Sequence, residues 1–310
     1  MFNIVGKRYL FFGISLATII PGLLALVLWG LPLGIDFTGG ALLEMQFTNP
    51  TTAIQPGDIK NILTANDFPD AVVQTSEGNS VIIRTAPMTQ EQKLALYSQL
   101  RGQYGEFTEQ QFVSVGPSVG AAVAQRAAGA VAVAAMAILL YIAWAFRKVP
   151  HPFRYGVAAI IAMLHDVLVM LGLAAIVGHF LGWQVDALFL TALLTVIGFS
   201  VHDTIVVFDR IRENRIRYRG EPYEDVVNFS IVQTLARSIN TSLTVLLTLS
   251  ALALLGGVTI RHFVIWLIIG IASGMYSSIF NAAPILVVWE NKEWRNWFGR
   301  GEKKQQTSQV

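Results

Sequence analysis

Six stretches of about 20 mostly apolar residues constrain this chain more than any other feature: Tyr9–Leu31, Ala127–Phe146, Gly156–Gly178, Ala187–Phe208, Leu235–Val258 and Phe263–Trp289. A run of that length has one common use, crossing the hydrocarbon of a bilayer. No water is available there to satisfy backbone N–H and C=O groups, so each run is expected to be a helix. Composition agrees: 54% of the residues are hydrophobic and 14% charged, where a soluble domain carries roughly a quarter charged residues. The net charge of +2 is too small to argue for a nucleic-acid partner, and the absence of cysteine excludes disulfides, thiol chemistry and cysteine-based metal sites.

Lys7 and Arg8 precede the first run, which ends in "LPLGIDFTGG". A cleaved signal has an apolar core of about 7–15 residues followed by an A-x-A-like site. This run is longer and lacks such a site, so it is read as an uncleaved anchor. With six spans both termini share a side. That side holds fifteen of the 22 Lys and Arg residues, and the opposite side holds five (Lys60, Arg84, Lys93, Arg101, Arg261). The bias puts both termini in the cytoplasm. The expected domains are residues 1–33 (N-terminus and first span), 34–120 (an outer, periplasmic domain), 121–290 (spans two to six) and 291–310 (a basic cytoplasmic tail).

The outer segment reads as strand, helix, strand, strand, helix, strand. "ALLEMQF" is a strand. "QPGDIKNILTAND" has helical spacing at Ile59, Ile62 and Leu63. "AVVQTS" and "NSVIIRTA" flank the hairpin signal "EGN". "TQEQKLALYSQLRGQYG" opens on a Thr cap and is expected to bury Leu94, Tyr97 and Leu100, and "QQFVSVG" closes the set. This βαββαβ order is ferredoxin-like. The segment holds no His, Cys or phosphate loop, so binding or mechanical coupling is expected there rather than catalysis.

Charge at the centre of a bilayer-spanning helix costs at least about 2.5–3.5 kcal/mol, so ionisable residues there carry functional weight. Asp166, in "MLHDVLVML", is placed roughly 15 Å from the cytoplasmic end of the third span, and Asp203, in "GFSVHDTIVVFDRIREN", roughly 10 Å from it in the fourth. Arg237, near the start of the fifth span, is expected at a depth like that of Asp203. The guanidinium stays protonated while the acid can change state, so the pair reads as a proton switch; a static ion pair is the bland alternative. Ser200, His202, Thr204, Asn240, Thr241, Ser242 and Thr244 add the polar groups a hydrated relay needs, and Asp166 is a second acid with no obvious fixed partner. His165 and His202 precede their Asp neighbours by one residue, about 100° around a helix, and are read as packed interior side chains rather than His–Asp pairs or zinc ligands. The "GIASG" run is read as close helix packing, and "DRIRENRIRYRGEPYED" as an amphipathic helix on the membrane surface.

Four motifs, in order, resemble one family. "GIDFTGG" (Gly34–Gly40), "LHDVLV" (Leu164–Val169), "HDTIVVFDRIREN" (His202–Asn214) and "TLARSINTSLTVL" (Thr234–Leu246) are similar to motifs of the SecD/SecF export proteins of the resistance-nodulation-division superfamily, and the single small outer domain is similar to the SecF side of that family. The resemblance implies partnership with SecD around the SecYEG channel, with YajC and YidC as further candidates. It also implies use of the proton motive force to move an exported, unfolded polypeptide. On that resemblance Asp203 carries the proton, Arg237 is its partner, Asp166 matches a third-helix acid, and Gly34, Asp36, Gly39 and Gly40 couple the first span to the outer domain. No cofactor or metal is implied. A small-molecule or lipid exporter of the same superfamily would be expected to show a second duplicated half. A passive scaffold would tolerate neutral substitutions at Asp203 and Arg237.

Overall fold

The computed structural model describes residues 2–76, 79–147 and 149–293. The chain is mostly helical with one small sheet. Among the described residues six helical segments are long and apolar enough to cross a membrane. Two compact units result. One holds the residues up to Leu31, Val131–Trp183 and the chain from Leu188 on; the other holds Pro32–Ala130 with Gln184–Ala187.

In the helical unit, α1 (Arg8–Trp29), the second half of α5 (Pro117–Ala145), α6 (Pro152–Leu181), α7 (Ala187–Arg217) and α8 (Tyr223–Leu255) are followed by a last span. That span consists of α9 (Val258–Ser277), a π-helical turn (Ser278–Ala282) and α10 (Ala283–Glu290). The π turn lies just before Pro284, whose ring would clash with the carbonyl four residues back in a regular α-helix. Burial separates the spans: 44–50% of the most apolar stretch is buried in α6, α7 and the last span, against 6–17% in α1, α5 and α8. The helices that carry Asp166 and Asp203 are therefore central ones. Side chains such as Val27, Leu254 and Leu255 are 76–88% exposed. A surface of this kind is unsuited to water and suited to lipid.

Close approach needs glycine at two places in the interior. A Cβ on Gly22 of α1 would stand 2.8 Å from Gly172 Cα of α6. On α9, Gly270 and Gly274 of the "GIASG" run meet Val196 and Ser200 of α7, at 2.3 and 3.0 Å from the position a Cβ would take.

Two expectations about boundaries fail. Residues 209–217 form no separate surface helix; they continue α7 to Arg217. No breaker precedes Gly220 and Pro222, and Asp209–Arg212 and Arg210–Glu213 pairs support the extension. The fifth and second spans begin at Tyr223 and Pro117, ten or so residues earlier than the apolar runs suggest, because Ala-rich and mixed polar sequence such as "AAVAQRAAG" is itself good helix former.

The sheet unit contains α2 (Ile35–Thr38), β1 (Gly40–Phe47), α3 (Pro56–Ala65), β2 (Val72–Ser76), β3 (Ser80–Thr85), α4 (Gln90–Tyr104) and β4 (Phe107–Val115). The strands pair antiparallel in the order β2-β3-β1-β4. Alternation sets the faces: Ala41, Leu43, Met45 and Phe47 of β1 are buried with Val81 and Ile83 of β3 against Ile59 and Leu63 of α3 and Leu96, Leu100 and Tyr104 of α4. Thr89 caps α4 in a full capping box with Gln92. Leu94 is 59% exposed, contrary to expectation; the buried stripe runs through Lys93, Leu96, Tyr97, Leu100 and Tyr104 instead. A bulge between Glu44 and Met45 leaves one residue of β4 unpaired. Lys93 is buried because Glu109 takes its Nζ at 2.8 Å and the Phe112 ring lies 4.1 Å away. The hairpin tip at residues 77–78 and most of the basic tail, residues 294–310, lie outside the described residues.

Candidate functional site

Asp166 is wholly buried on α6 and accepts four hydrogen bonds. His165 Nδ1 (3.0 Å) and Ser273 Oγ (2.8 Å) meet Oδ1, while Ser200 Oγ (2.6 Å) and Ser277 Oγ (2.7 Å) meet Oδ2. The donors come from α6, α7 and α9, so one carboxylate ties three central helices together. The network extends along α7: Ser278 Oγ donates to the Ser200 carbonyl at 2.9 Å and shares a hydrogen bond with Thr204 Oγ1 at 2.9 Å. One helical turn further, Asn281 and Ser15 of α1 bond each other. Ser277, just before the π turn, and Ser278 and Asn281 within it all lie on the packed side of the last span, in keeping with the tendency of π bulges to occur at functional sites.

This corrects two expectations. Asp166 has four partners where the sequence suggested none. His165 and Asp166 do touch: 100° separates their Cβ directions, but the imidazole is long enough to fold back to the neighbouring carboxylate. His165 also stacks on Tyr276, with ring centroids 6.1 Å apart.

Asp203, 8% exposed, faces α8. Ser242 Oγ donates to its Oδ2 at 3.3 Å, and His202 Nδ1 stands 3.7 Å from Oδ1 while most of the His202 ring is exposed. Ser200 and Thr204, on the same helix, serve the Asp166 network instead. Arg237 is not brought to Asp203. The turn of α8 that points Ser238 and Ser242 inward, four residues apart, points Arg237 outward, and Arg237, Asn240, Thr241 and Thr244 all lie exposed on α8. Asp203 is also level with Ser242, five residues past Arg237 and roughly 7.5 Å along α8, so both depth and direction differ from the expectation. Among the described residues no group of three His, Cys, Asp or Glu converges as a metal site would require.

The "GIDFTGG" segment is built around a second set of bonds, within the sheet unit. Gly34 N donates to the Val185 carbonyl (2.7 Å), Val185 N donates to the Pro32 carbonyl (2.8 Å), and Ala187 N donates to Asp36 Oδ2 (2.9 Å). Ala187 is the first residue of α7, so Asp36 satisfies an N–H that the helix itself leaves open, at the end where negative charge is favoured. Gly39 and Gly40 have φ of 77° and 140°. A Cβ on Gly39 would lie 2.7 Å from Pro117 Cα, and one on Gly40 would lie 2.7 Å from the Thr85 carbonyl oxygen. Both positions require glycine.

Comparison with known proteins addresses the same segments. Residues 96–292 match the family described as protein export membrane protein SecD/SecF, C-terminal, and residues 30–51 match the SecD/SecF GG motif. Protein translocase subunit SecF of Anaerolinea thermophila is 53% identical over 98% of this chain and 99% of its own length. The chain belongs to the SecD/SecF family. Its SecF relatives include the subunit of Thermobaculum terrenum, 51% identical over 97% of this chain and 98% of the relative. The crystal structure of SecDF from Thermus thermophilus, a translocon-associated membrane protein, superposes with a TM-score of 0.83 at 33% identity, covering 94% of this chain and 39% of that one. Bacillus subtilis also has a fused SecDF, matched over 94% of this chain and 38% of the fusion. In those fusions a SecD portion shares one polypeptide with a SecF portion, which supports SecD as the partner class for SecD/SecF chains of this length.

The residues that sequence reasoning missed are Ser273, Ser277, Ser278 and Asn281. Their signal was present: Ser273, Ser277 and Asn281 recur every four residues, a polar stripe in an otherwise apolar span.

Proposed function

We propose that this chain is the SecF subunit of a protein-export complex that works with SecD and the SecYEG channel and uses the proton motive force to assist movement of an unfolded polypeptide. Domain placement follows the charge bias. Both termini and the basic tail (291–310) are cytoplasmic, and residues 34–120 form a ferredoxin-like domain on the periplasmic side, with spans on either side of it (1–33, 121–290).

One observation carries the proton assignment. Asp203 is a buried carboxylate in an apolar span with one hydroxyl donor at 3.3 Å, whereas Asp166 has four donors. The acceptor positions of Asp166 are filled, so its place is that of a fixed anchor. Asp203 has positions open to a proton or a water molecule. Arg237, Asn240 and the exposed ring of His202 lie on the outer faces of α7 and α8, where a bare bilayer would leave them without partners. SecD is the occupant proposed for that surface, contributing an acid that completes the site. Ser242 holds Asp203, and Ser200 and Thr204 hold the neighbouring turn of α7. Gly34, Asp36, Gly39 and Gly40 couple the domain to α7, which begins at Ala187 inside the sheet unit. Moving one charge through the membrane potential is worth about 2.3 kcal/mol per 100 mV, enough to bias a two-state arrangement of helices.

Asp203→Asn in cells depleted of their own SecF tests the reading. Precursor of a secreted protein accumulates while the variant and SecD stay at normal membrane levels. Normal processing would leave Asp203 structural and favour a passive scaffold.

A further inference from the structure

At the charged end of α7 and α8 the helical unit contains a cavity of 850 Å³. That is the size of a small-molecule site, for which about 300–1,000 Å³ is usual. Three guanidiniums line it: Arg212, Arg215 and Arg219. Arg215 is fixed over the Tyr223 ring, 4.8 Å from its centroid. It reaches Glu290 at 3.3 Å, a carboxylate that Arg154 already holds at 2.5 Å. Arg212 pairs with Asp209 on the exposed flank of α7, where such pairs are worth little. Arg219 has no carboxylate within 4.0 Å among the described residues. Of the two carboxylates in the lining, Glu213 is engaged by Arg210 and Glu221 remains. The balance is positive.

The rest of the wall is mainly apolar, with Tyr218 and Tyr223 beside Val149, Pro150, Ile216 and Val226. Ile216 is 63% exposed, and Val149 and Pro150 complete that side. Depth is set by the sequence of α7, which is mostly apolar up to Phe208, with Asp203 as its one acid, and charged from Asp209 onward. The cavity therefore lies where the spans leave the hydrocarbon, beside both charge and chain. A free inorganic anion would use the guanidiniums and leave the apolar wall around the exposed Ile216 wet. A phospholipid uses both.

We propose that this cavity binds the headgroup of an anionic phospholipid, its phosphate held by Arg212, Arg215 and Arg219 and the start of its acyl chains lying along Ile216 and Val149. Basic pockets between spanning helices at a membrane surface take acidic headgroups by the same combination of charge and depth. The site is separate from Asp203 and does not depend on the proton-relay reading.

The test is native mass spectrometry of the delipidated full-length chain with short-chain phosphatidylglycerol, phosphatidylcholine and inorganic phosphate as probes. Phosphatidylglycerol is expected to bind at least tenfold tighter than phosphatidylcholine, and an equal concentration of phosphate does not displace it. Arg219→Gln removes a lining charge and lowers that preference at least fivefold. Arg217→Gln removes the same charge two residues away, outside the cavity, and changes it less than twofold. Both residues are exposed, so both variants keep the fold. Equal losses in the two variants would mean diffuse attraction and overturn the site. So would the absence of a headgroup preference, or displacement by phosphate, which would assign the cavity to the free anion.

Discussion

Replacing Asp166 by Ala removes the acceptor of four hydrogen bonds and leaves His165, Ser200, Ser273 and Ser277 facing a small void. On the scale for soluble proteins, bonds to a charged group are worth roughly 1.5–3 kcal/mol each, and four would exceed the whole stability of many domains. The bilayer scale is the relevant one. Interhelical hydrogen bonds in membranes average about 0.6 kcal/mol, because hydroxyls in a membrane-embedded unfolded state also find partners. Ser277 illustrates this, since it already has the Gly274 carbonyl at 3.2 Å as an alternative acceptor. Four bonds then give about 2–3 kcal/mol of destabilisation. Ser273→Ala, which removes one donor, costs about a quarter of that. Reversible unfolding in bicelles measures both. A change below about 0.5 kcal/mol for Asp166→Ala would refute the view that this carboxylate ties α6, α7 and α9 together.

Two further outcomes are expected in the sheet unit. Gly39 has φ 77° and ψ 162°, a region that is essentially glycine-only; Gly39→Ala costs on the order of 1–3 kcal/mol, read as faster proteolysis within residues 41–115 of the full chain, and an unchanged rate would disprove the constraint. The Tyr97 hydroxyl is pushed up from its usual value of 10.0 by burial and then by its bond to Glu109, while Glu109 is held below 4.5 chiefly by Lys93. With folded values raised for Tyr97 and lowered for Glu109, their contributions are complete between those two reference values. The Tyr97 share is lost as pH rises through its elevated folded value, and the Glu109 share as pH falls through its depressed one. Tyrosinate absorbance compared with Tyr97→Phe, and denaturation compared with Glu109→Gln across acid pH, check each; titration of Tyr97 with the ordinary tyrosines, or a Glu109 contribution that does not shrink in acid, would contradict the assignment.

The spans were legible because 20 apolar residues leave the backbone one choice, and the buried face of β1 because it alternates so cleanly through Ala41, Leu43, Met45 and Phe47. Side-chain direction inside the membrane was less legible. Ser273 and Ser277 recur at helical spacing, yet a serine in a helix can bond its own preceding carbonyl and face anywhere, so the spacing alone did not point them at Asp166. The level of Arg237 against Asp203 depends on how α8 is shifted along α7, and its facing on which side of α8 packs; Ser238 and Ser242 decide both. The extension of α7 through Asp209–Arg217 was hidden because charge was taken to end a span. In fact a helix ends where a breaker or a cap stops it, and neither occurs before Gly220.

Helix α7 takes part in both sets of bonds, through Ala187 and through Ser200. Its first N–H is held by Asp36 of the glycine-rich segment, within the sheet unit. Sixteen residues on, roughly 24 Å along the axis, stands Asp203, with Ser200 and Thr204 on the adjoining face. One side of that turn is fixed: Ser200 is bonded to Asp166, and Thr204 to Ser278. The other side is loosely held, with Ser242 at 3.3 Å from Asp203 and the polar groups of α8 turned outward. On the proposed role of Asp203, a change of its charge would act on the loosely held side toward α8, because the side toward α6 is fixed by Asp166 and its four donors. Ala187, the first residue of α7, belongs to the sheet unit. From Ala187 to Arg217 the helix runs without proline, so the turn that carries Asp203 is continuous with the one that Asp36 holds.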